Sequence, residues 1–277
     1  MNPLDSNEIK KVSFKLLCKF HDICIKENFR YSLGGGTLLG AIRHGGFIPW
    51  DDDIDVMMPR PDYNAFLKYC HEKKVDFTLF CHEYNNQYFS LASKLSDKNT
   101  IIVDHNNKIE VLHMGVSIDV FPLDGLGNTK KEALAFFEKS AIYRELLNAA
   151  AWEKFSLSKT HRLYVEPIRL LMYFFSKLVN KGNLIKKIES INSKKNFSEE
   201  DFAGCVCGSY REREVMKKEI FSSYIKVKFE GKEFMAIKDY DLYLTSLYGN
   251  YMKLPPIEKR TTHHTFSAYY LKDYEGK

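Results

Sequence analysis

The most constraining feature of this sequence is a run of aspartates just downstream of a glycine cluster. Asp51, Asp52, Asp53 and Asp55 place four carboxylates within five positions, and they follow the Gly-Gly-Gly-Thr sequence of residues 34–37. Closely spaced carboxylates repel one another, so a fold that buries them needs a cation to offset their charge. If residues 50–56 form a β-strand, Asp51, Asp53 and Asp55 share one of its faces. An oxygen-only ligand set of this kind suits a hard divalent cation such as Mg²⁺.

The glycine cluster predicts a backbone turn that can bring N–H groups close to a phosphate. Residues 34–40 lack the Gly-Lys-Ser/Thr ending of a P-loop, and their spacing does not fit a dinucleotide-binding fingerprint. Glycines alone are as typical of an ordinary turn as of a phosphate site. Glycines followed by an aspartate-rich strand are more specific, and together they indicate phosphoryl-group transfer.

Three interpretations of the aspartates compete. A calcium-binding loop requires glycine at its sixth position and glutamate at its twelfth, where this chain has Val56 and Asp62. An inert, solvated acidic loop fits poorly with the apolar residues between the carboxylates. The third interpretation is a metal site completed by a distant carboxylate, for which Asp119 in the alternating segment 116–121 is the best candidate. Asp124 and Gly125 are more typical of a turn.

Composition and charge limit the class of protein. The chain has 277 residues, of which 44% are hydrophobic and 28% charged, as in ordinary globular proteins. The net charge of +5 is too small to indicate nucleic acid, although it fits an anionic substrate or membrane surface. Six cysteines without a Cys-x-x-Cys pair favour free thiols in a reducing compartment. The polar N-terminus lacks an apolar signal region, so we expect a cytoplasmic protein.

Hydrophobic periodicity predicts an α/β (α+β) protein with a mixed sheet followed by a largely helical half. Helices are expected over residues 6–28, 38–43, 62–74, 129–151 and 240–248, with capping boxes at Asp5 and Thr129. Strands are expected over residues 77–81, 88–95, 100–104 and 115–121, with a hairpin over 225–237 and a turn over 122–127. We expect residues 1–127 to form the catalytic core and residues 128–277 a substrate-binding region packed on it.

Residues 34–56 resemble the signature of the LicD family, whose bacterial members are phosphocholine transferases and to which fukutin-related protein is related. Further matching segments are residues 93–100 around Lys94, residues 117–124 around Asp119, and the C-terminal residues Tyr248–Met252, Pro255-Pro256, Lys259-Arg260 and His263-His264. The middle of the chain, about residues 130–220, carries little that matches.

This resemblance implies a nucleotidyltransferase-like fold of the DNA polymerase β type. In such a fold a glycine turn precedes an Asp-x-Asp strand, and a third carboxylate comes from another strand. The positions that fit are Gly35, Gly36 and Thr37 for phosphate binding, and Asp53, Asp55 and Asp119 for the metal, which would be Mg²⁺ or, as an alternative, Mn²⁺. Arg43, Lys94, Lys259, Arg260, His263 and His264 are candidate substrate-binding residues.

The resemblance also implies a reaction. Phosphocholine would pass from CDP-choline to a sugar hydroxyl of a cell-envelope glycan, such as a teichoic acid or lipopolysaccharide precursor, with CMP released. Asp119 or Asp51 would accept the hydroxyl proton, and the sequence does not choose between them. Two alternatives remain: transfer of a nucleoside monophosphate to a sugar or small molecule, and a non-enzymatic binding module.

The apolar stretch of residues 163–179 is interrupted by Glu166, Pro167, Arg169 and Lys177, which excludes a membrane-spanning helix. It is either a core helix or a surface helix in shallow contact with a membrane, near Lys177, Lys181, Lys186 and Lys187. The second interpretation would place the protein at the inner face of the membrane, where the glycan acceptor could be lipid-linked.

Overall fold

Helices and strands alternate through the first 127 residues of the computed structural model, and helices dominate residues 128–192. The structure describes residues 3–104, 113–152, 154, 155, 157, 163–260 and 266–273. The α-helices in these residues are α1 (Ser6–Glu27), α2 (Gly35–His44), α3 (Arg60–Glu72), α4 (Lys130–Glu138), α5 (Ala141–Ala151), α6 (Glu166–Ser176), α7 (Lys181–Asn192) and α8 (Tyr240–Tyr248). The predicted α+β class is therefore confirmed.

The strands form one mixed sheet and two separate pairs. They are β1 (Ser32–Leu33), β2 (Asp55–Pro59), β3 (Thr78–Phe80), β4 (Ser93–Ser96), β5 (Thr100–Asp104), β6 (Ser117–Gly127), β7 (Phe202–Gly204), β8 (Met216–Lys217), β9 (Tyr224–Phe229), β10 (Lys232–Ile237) and β11 (Phe266–Tyr270). The main sheet has the order β1-β2-β6-β4-β3, and β7 with β8 extends it from the far end of β6. Strands β2 and β6 are parallel, whereas the other pairs are antiparallel.

The main core lies between α1, the sheet and the β9–β10 hairpin. Phe20 of α1, Val56 of β2 and Ile118 of β6 are fully buried, and so are Phe229 and Phe234 of the hairpin. Burial of such large apolar side chains is the main favourable contribution to folding. The core therefore fixes β2 and β6, which carry the aspartates, between elements from both ends of the chain.

The capping boxes predicted at two helix starts are confirmed in full for α1 and in part for α4. Asp5 accepts from the N–H of Glu8 at 2.8 Å and Glu8 accepts from the N–H of Asp5 at 2.9 Å, which is the predicted capping box. Thr129 caps α4 as predicted, but the carboxylate of Glu132 accepts from the N–H of Asn128 instead. The predicted helix over 129–151 is also two helices, α4 and α5.

The predicted strand over residues 50–56 is wrong at its start, because β2 begins only at Asp55. Leu33 pairs with Val56, and after β1 the chain turns away into α2, so β1 does not continue alongside residues 51–53. Exposure nevertheless alternates as expected for an extended segment. Asp52 is buried with 3% exposure and contacts Ser6, whereas Asp51, Asp53 and Asp55 all reach the surface.

Two further predictions were wrong. Helix α2 begins at Gly35 within the glycine cluster, earlier than the predicted start at residue 38. The predicted turn over 122–127 is the second half of β6, which pairs with β7. Asp124 is buried there because it binds Arg60, and Gly125 is required because a Cβ would lie 2.9 Å from the carbonyl oxygen of Asn196. Tertiary contacts thus override the turn propensity of the Asp-Gly pair.

Candidate active site

Parallel pairing of β2 with β6 brings Asp55 and Asp119 together. The two residues are direct partners in the register, and the N–H of Asp119 donates to the carbonyl of Ile54 at 2.8 Å. Residues paired across neighbouring strands project on the same side of the sheet. The third carboxylate proposed from sequence therefore lies beside the Asp-x-Asp pair, although 64 positions separate Asp55 from Asp119.

The glycine turn packs against two of the aspartates. Gly35 has a φ of +45°, in the left-handed region that favours glycine. A Cβ at Gly35 would lie 2.9 Å from Asp55 Oδ2, and one at Gly36 would lie 3.0 Å from Asp51 Oδ2. The carboxylates thus lie at the N-terminal turn of α2, where unpaired N–H groups and the helix dipole favour negative charge.

Thr37 ties the aspartate segment to α2. Its hydroxyl, buried with 3% exposure, accepts from the N–H of Asp55 at 2.8 Å and lies 3.5 Å from the carbonyl of Asp53. The predicted role of this hydroxyl in phosphate binding stays a prediction; in the structure the hydroxyl bonds to the backbone. Thr37 therefore positions the two metal-ligand candidates.

Lys94 supplies the positive charge beside these carboxylates. It faces Asp119 in the β4–β6 register, and its ammonium group forms an ion pair with the Asp119 carboxylate. Burial lowers the pKa of Lys94, but Asp119, Asp53 and Asp55 outweigh that effect and raise it. Conversely, burial raises the pKa of Asp55, and the neighbouring carboxylates of Asp119, Asp53 and Asp51 raise it further. Three neighbouring carboxylates thus disfavour the charged form of Asp55, and Lys94 opposes them.

The chemistry of this cluster suits a divalent cation. Its ligand atoms are all carboxylate oxygens, which Mg²⁺ prefers, and a cation would relieve the repulsion that raises the pKa of Asp55. Among the described residues, however, no three His, Cys, Asp or Glu side chains stand close enough together to enclose a metal ion as they are. Lys94 holds Asp119 through the ion pair and competes with a metal for that carboxylate.

A second group of predicted residues lies at the other end of α2. Arg43 donates to the carbonyl of Tyr251 at 2.7 Å and to the ring of His44 at 3.0 Å. The guanidinium of Arg260 lies 5.3 Å from the ring centre of Trp50. Burial lowers the pKa of Arg43, and the charge of Arg260 lowers it further. We call Arg43, His44, Trp50 and Arg260 the arginine cluster; Trp50 directly precedes Asp51, whose carboxylate lies at Gly36.

Three predicted substrate-binding residues are described only in part or not at all. Lys259 lies in the short 3₁₀ turn Ile257–Lys259, of which the structure describes the backbone. His263 and His264 lie outside the described residues.

Asp119 lines two cavities. The larger has a volume of about 540 Å³ and extends from Asp119 and Phe121 to the helical half, where Glu138, Arg144 and Glu145 line it. The other, of about 270 Å³, lies on the side of Asp53 and Lys94. A cavity of the larger size accommodates a small-molecule ligand. The residues of α4 and α5 that line this cavity could not be predicted from the sequence, because these helices carry no motif that points to a ligand.

A third, small cavity of about 60 Å³ lies behind the glycine turn. It is lined by Gly35, Asp55, Glu214 and Tyr243, and the N–H of Gly35 lies 3.3 Å from the Tyr243 hydroxyl. Glu214 is buried with 5% exposure, and this burial raises its pKa to about 7. The sequence around Glu214 gave no sign that it would lie here.

Comparison with known proteins identifies the family of this chain. The family profile described as LicD/FKTN/FKRP, nucleotidyltransferase domain, matches residues 28–122, which include the glycine turn, the aspartates, Lys94 and Asp119. The lipopolysaccharide cholinephosphotransferase LicD of Haemophilus influenzae is 33% identical over 283 residues, covering 98% of this chain and 100% of that protein. The human ribitol 5-phosphate transferase FKRP is 67% identical over 27 residues, which are 10% of this chain and 6% of FKRP. This chain therefore belongs to the LicD family.

Proposed function

We propose that this protein transfers phosphocholine from CDP-choline to a sugar hydroxyl of a cell-envelope glycan, with release of CMP. The observation that carries the proposal is similarity along the whole chain to a lipopolysaccharide cholinephosphotransferase. The acceptor would be a precursor of the lipopolysaccharide or teichoic acid type. The carboxylate cluster and the glycine turn, both within the family match, supply the groups that phosphoryl transfer needs.

Asp53, Asp55 and Asp119 are the proposed ligands of Mg²⁺, with Mn²⁺ as the alternative. When bound, the cation would offset the charge of the donor diphosphate and of the departing CMP. The repulsion that the neighbouring carboxylates exert on Asp55 supports this role. Lys94 would hold the carboxylates together before the cation binds and contact the donor phosphate afterwards.

The acceptor hydroxyl attacks the phosphorus that carries choline. A bond forms between the sugar oxygen and this phosphorus, the bond from phosphorus to the CMP oxygen breaks, and the hydroxyl proton goes to a carboxylate. We assign this proton to Asp119, because Asp119 lines the 540 Å³ cavity, and retain Asp51 as the alternative. That cavity, bordered by Phe121 and Glu138, has room for the acceptor or the choline head group.

Backbone N–H groups of Gly35 and Gly36 and the charges of the arginine cluster are proposed to bind the anionic parts of the donor. The position of the carboxylates at the start of α2 keeps the glycine amides near the reacting phosphate. Arg43 and Arg260 bring two guanidinium groups to the other end of α2, where fork-shaped donors suit phosphate oxygens. Lys259, His263 and His264 are proposed to assist them.

The parallel β2–β6 pair with one carboxylate on each strand supports a nucleotidyltransferase-like core of the DNA polymerase β type in residues 1–127. Residues 128–277 would complete the substrate site, since α4 and α5 line the cavity beside Asp119. We propose that the protein works in the cytoplasm. Contact with a membrane would depend on a different part of the chain, helix α6.

The test is incubation with CDP-choline, Mg²⁺ and candidate glycans, followed by mass spectrometry of the products. We expect CMP and a glycan heavier by one phosphocholine. Release of pyrophosphate from a nucleoside triphosphate, with a nucleotide attached to the acceptor, would instead identify a nucleotidyltransferase. No turnover with any donor would contradict both and leave a binding module.

Asp-to-Asn substitutions test the assignment of roles. Asp53→Asn, Asp55→Asn and Asp119→Asn should each lower turnover at least about a hundredfold without loss of fold. The matched control is Asp76→Asn, because Asp76 is 82% exposed and pairs with Lys19 at the surface. If the three variants retain the turnover of the control, the proposed metal site is refuted.

A further inference from the structure

Helix α6 presents a continuous apolar face to solvent. Its exposed members within α6 are Ile168 (59% exposed), Leu171 (58%), Phe174 (60%) and Phe175 (63%), and Tyr164 (72%) and Leu178 (84%) flank the helix; we call these six residues the α6 apolar face. Five of the six recur at alternating intervals of four and three residues, which aligns them along one side of a helix. Soluble monomers rarely expose so many contiguous large apolar side chains, so this face has a binding role.

The opposite side of α6 is held by the protein itself. Arg169 forms an ion pair with Glu166 at 2.6 Å, and its guanidinium lies 4.9 Å from the ring centre of Trp152. Phe155 and Tyr173 pack together beside them with ring centres 6.0 Å apart. These contacts fix the orientation of the helix. The apolar face is therefore the side that α6 leaves outward.

The charges around this face are of one sign. Residues 163–187 contain five basic residues and a single acidic one, Glu166, which is 7% exposed and bound to Arg169. Lys177, Lys186 and Lys187 are exposed, and Lys181 is half-buried near Lys177. An apolar helix face that is followed in the chain by exposed lysines, with no exposed carboxylate in residues 163–187, matches the surface of a bilayer that contains anionic lipids.

The geometry excludes a membrane-spanning role and disfavours self-association. No helix in the described part of the chain has the length and apolar content to cross a bilayer, and α6 has 11 residues. A dimer through this face would bury the apolar side chains but would bring no exposed carboxylate of residues 163–187 to the lysines. An anionic lipid surface accommodates both the apolar side chains and the lysines.

We propose that α6 lies in the plane of an anionic membrane surface and anchors the protein there, with the α6 apolar face inserted among the lipids. The proposal does not rest on the transferase activity. It resolves the choice left open by the sequence, because the side chains of a core helix would be buried, and these are exposed.

The test is flotation of the full chain with vesicles. The protein should float with vesicles of phosphatidylglycerol and phosphatidylcholine and much less with phosphatidylcholine alone. The double variant Leu171→Ser/Phe175→Ser should bind at least about tenfold more weakly, as should Lys186→Gln/Lys187→Gln to a similar extent. Ile25→Ser is the matched control, since Ile25 is an apolar side chain of α1 with 51% exposure.

Each outcome decides the proposal. Circular dichroism checks that the variants are folded, and turnover on a water-soluble acceptor should be unchanged in them, which separates this test from that of the proposed function. Failure of the unaltered protein to bind anionic vesicles would overturn the proposal. So would equal binding by Leu171→Ser/Phe175→Ser and the control. A dimer that this double variant dissociates, without vesicle binding, would assign the face to a second copy.

Discussion

Replacing Arg60 by methionine should destabilise the protein by about 3–5 kcal/mol, because Arg60 is the cation of a buried ion-pair network. Its guanidinium donates to both carboxylate oxygens of Asp124, at 2.6 and 2.9 Å, and to Glu189 at 3.0 Å. Arg60 directly follows β2, Asp124 lies on β6 and Glu189 on α7. The network therefore joins the two strands that carry Asp55 and Asp119 to the helical half.

The magnitude follows from burial. Arg60 is 8% exposed and Asp124 2%, so loss of the arginine would leave a carboxylate in a site that water does not reach. Burial already raises the pKa of Glu189 to about 7, with Arg60 opposing that rise. Without Arg60 the Glu189 carboxyl would favour its protonated form still more. The variant should thus lose less stability at pH 5 than at pH 8.

Urea unfolding followed by circular dichroism measures the effect. The matched control is Arg211→Met, because the Arg211–Glu145 pair is 65% and 48% exposed and such pairs contribute at most about 1 kcal/mol. The double variant Arg60→Met/Asp124→Leu should recover part of the loss, since only Glu189 then remains without its partner. If Arg60→Met is as stable as Arg211→Met at pH 8, the buried network does not contribute as argued.

Three other substitutions test the site and its surroundings. Gly35→Ala places a residue with a Cβ in the left-handed conformation and brings that Cβ against Asp55, so we expect the unfolding free energy to fall by about 1–2 kcal/mol and turnover to fall as well. Its control is Gly45→Ala, which should show only the backbone strain because the space around its Cβ is open. Thr37→Val removes the acceptor of the buried Asp55 N–H and should cost about 1–3 kcal/mol, whereas Thr37→Ser should retain most of the stability. Burial raises the pKa of Glu214 from 4.5 to about 7, so its contribution to stability is full below pH 4.5 and is lost as the pH rises through 7. Glu214→Gln should therefore flatten the pH dependence of the unfolding free energy over that range. An unchanged pH profile would contradict this assignment.

Much of the fold could be predicted from local patterns, because those patterns act within a few residues. The capping box at Asp5, the hairpin of β9 and β10 and the helix over 240–248 are all present. Predictions failed where a distant contact decides the conformation. The chain continues as a strand through Asp124 because Arg60 and β7 stabilise it, and neither is near Asp124 in sequence.

The sequence by itself predicted the type of chemistry, because clustered carboxylates favour a cation and glycines followed by aspartates indicate phosphate. It also named Asp119 as the carboxylate that would join Asp53 and Asp55, and the family resemblance added Lys94 as a substrate-binding candidate. Only the tertiary structure decided how these residues meet, because strand pairing depends on which strands share a sheet and in which register. The tertiary structure also decided that Thr37 bonds to the backbone and that the apolar side chains of α6 face outward, since burial depends on packing against segments that are distant in the chain.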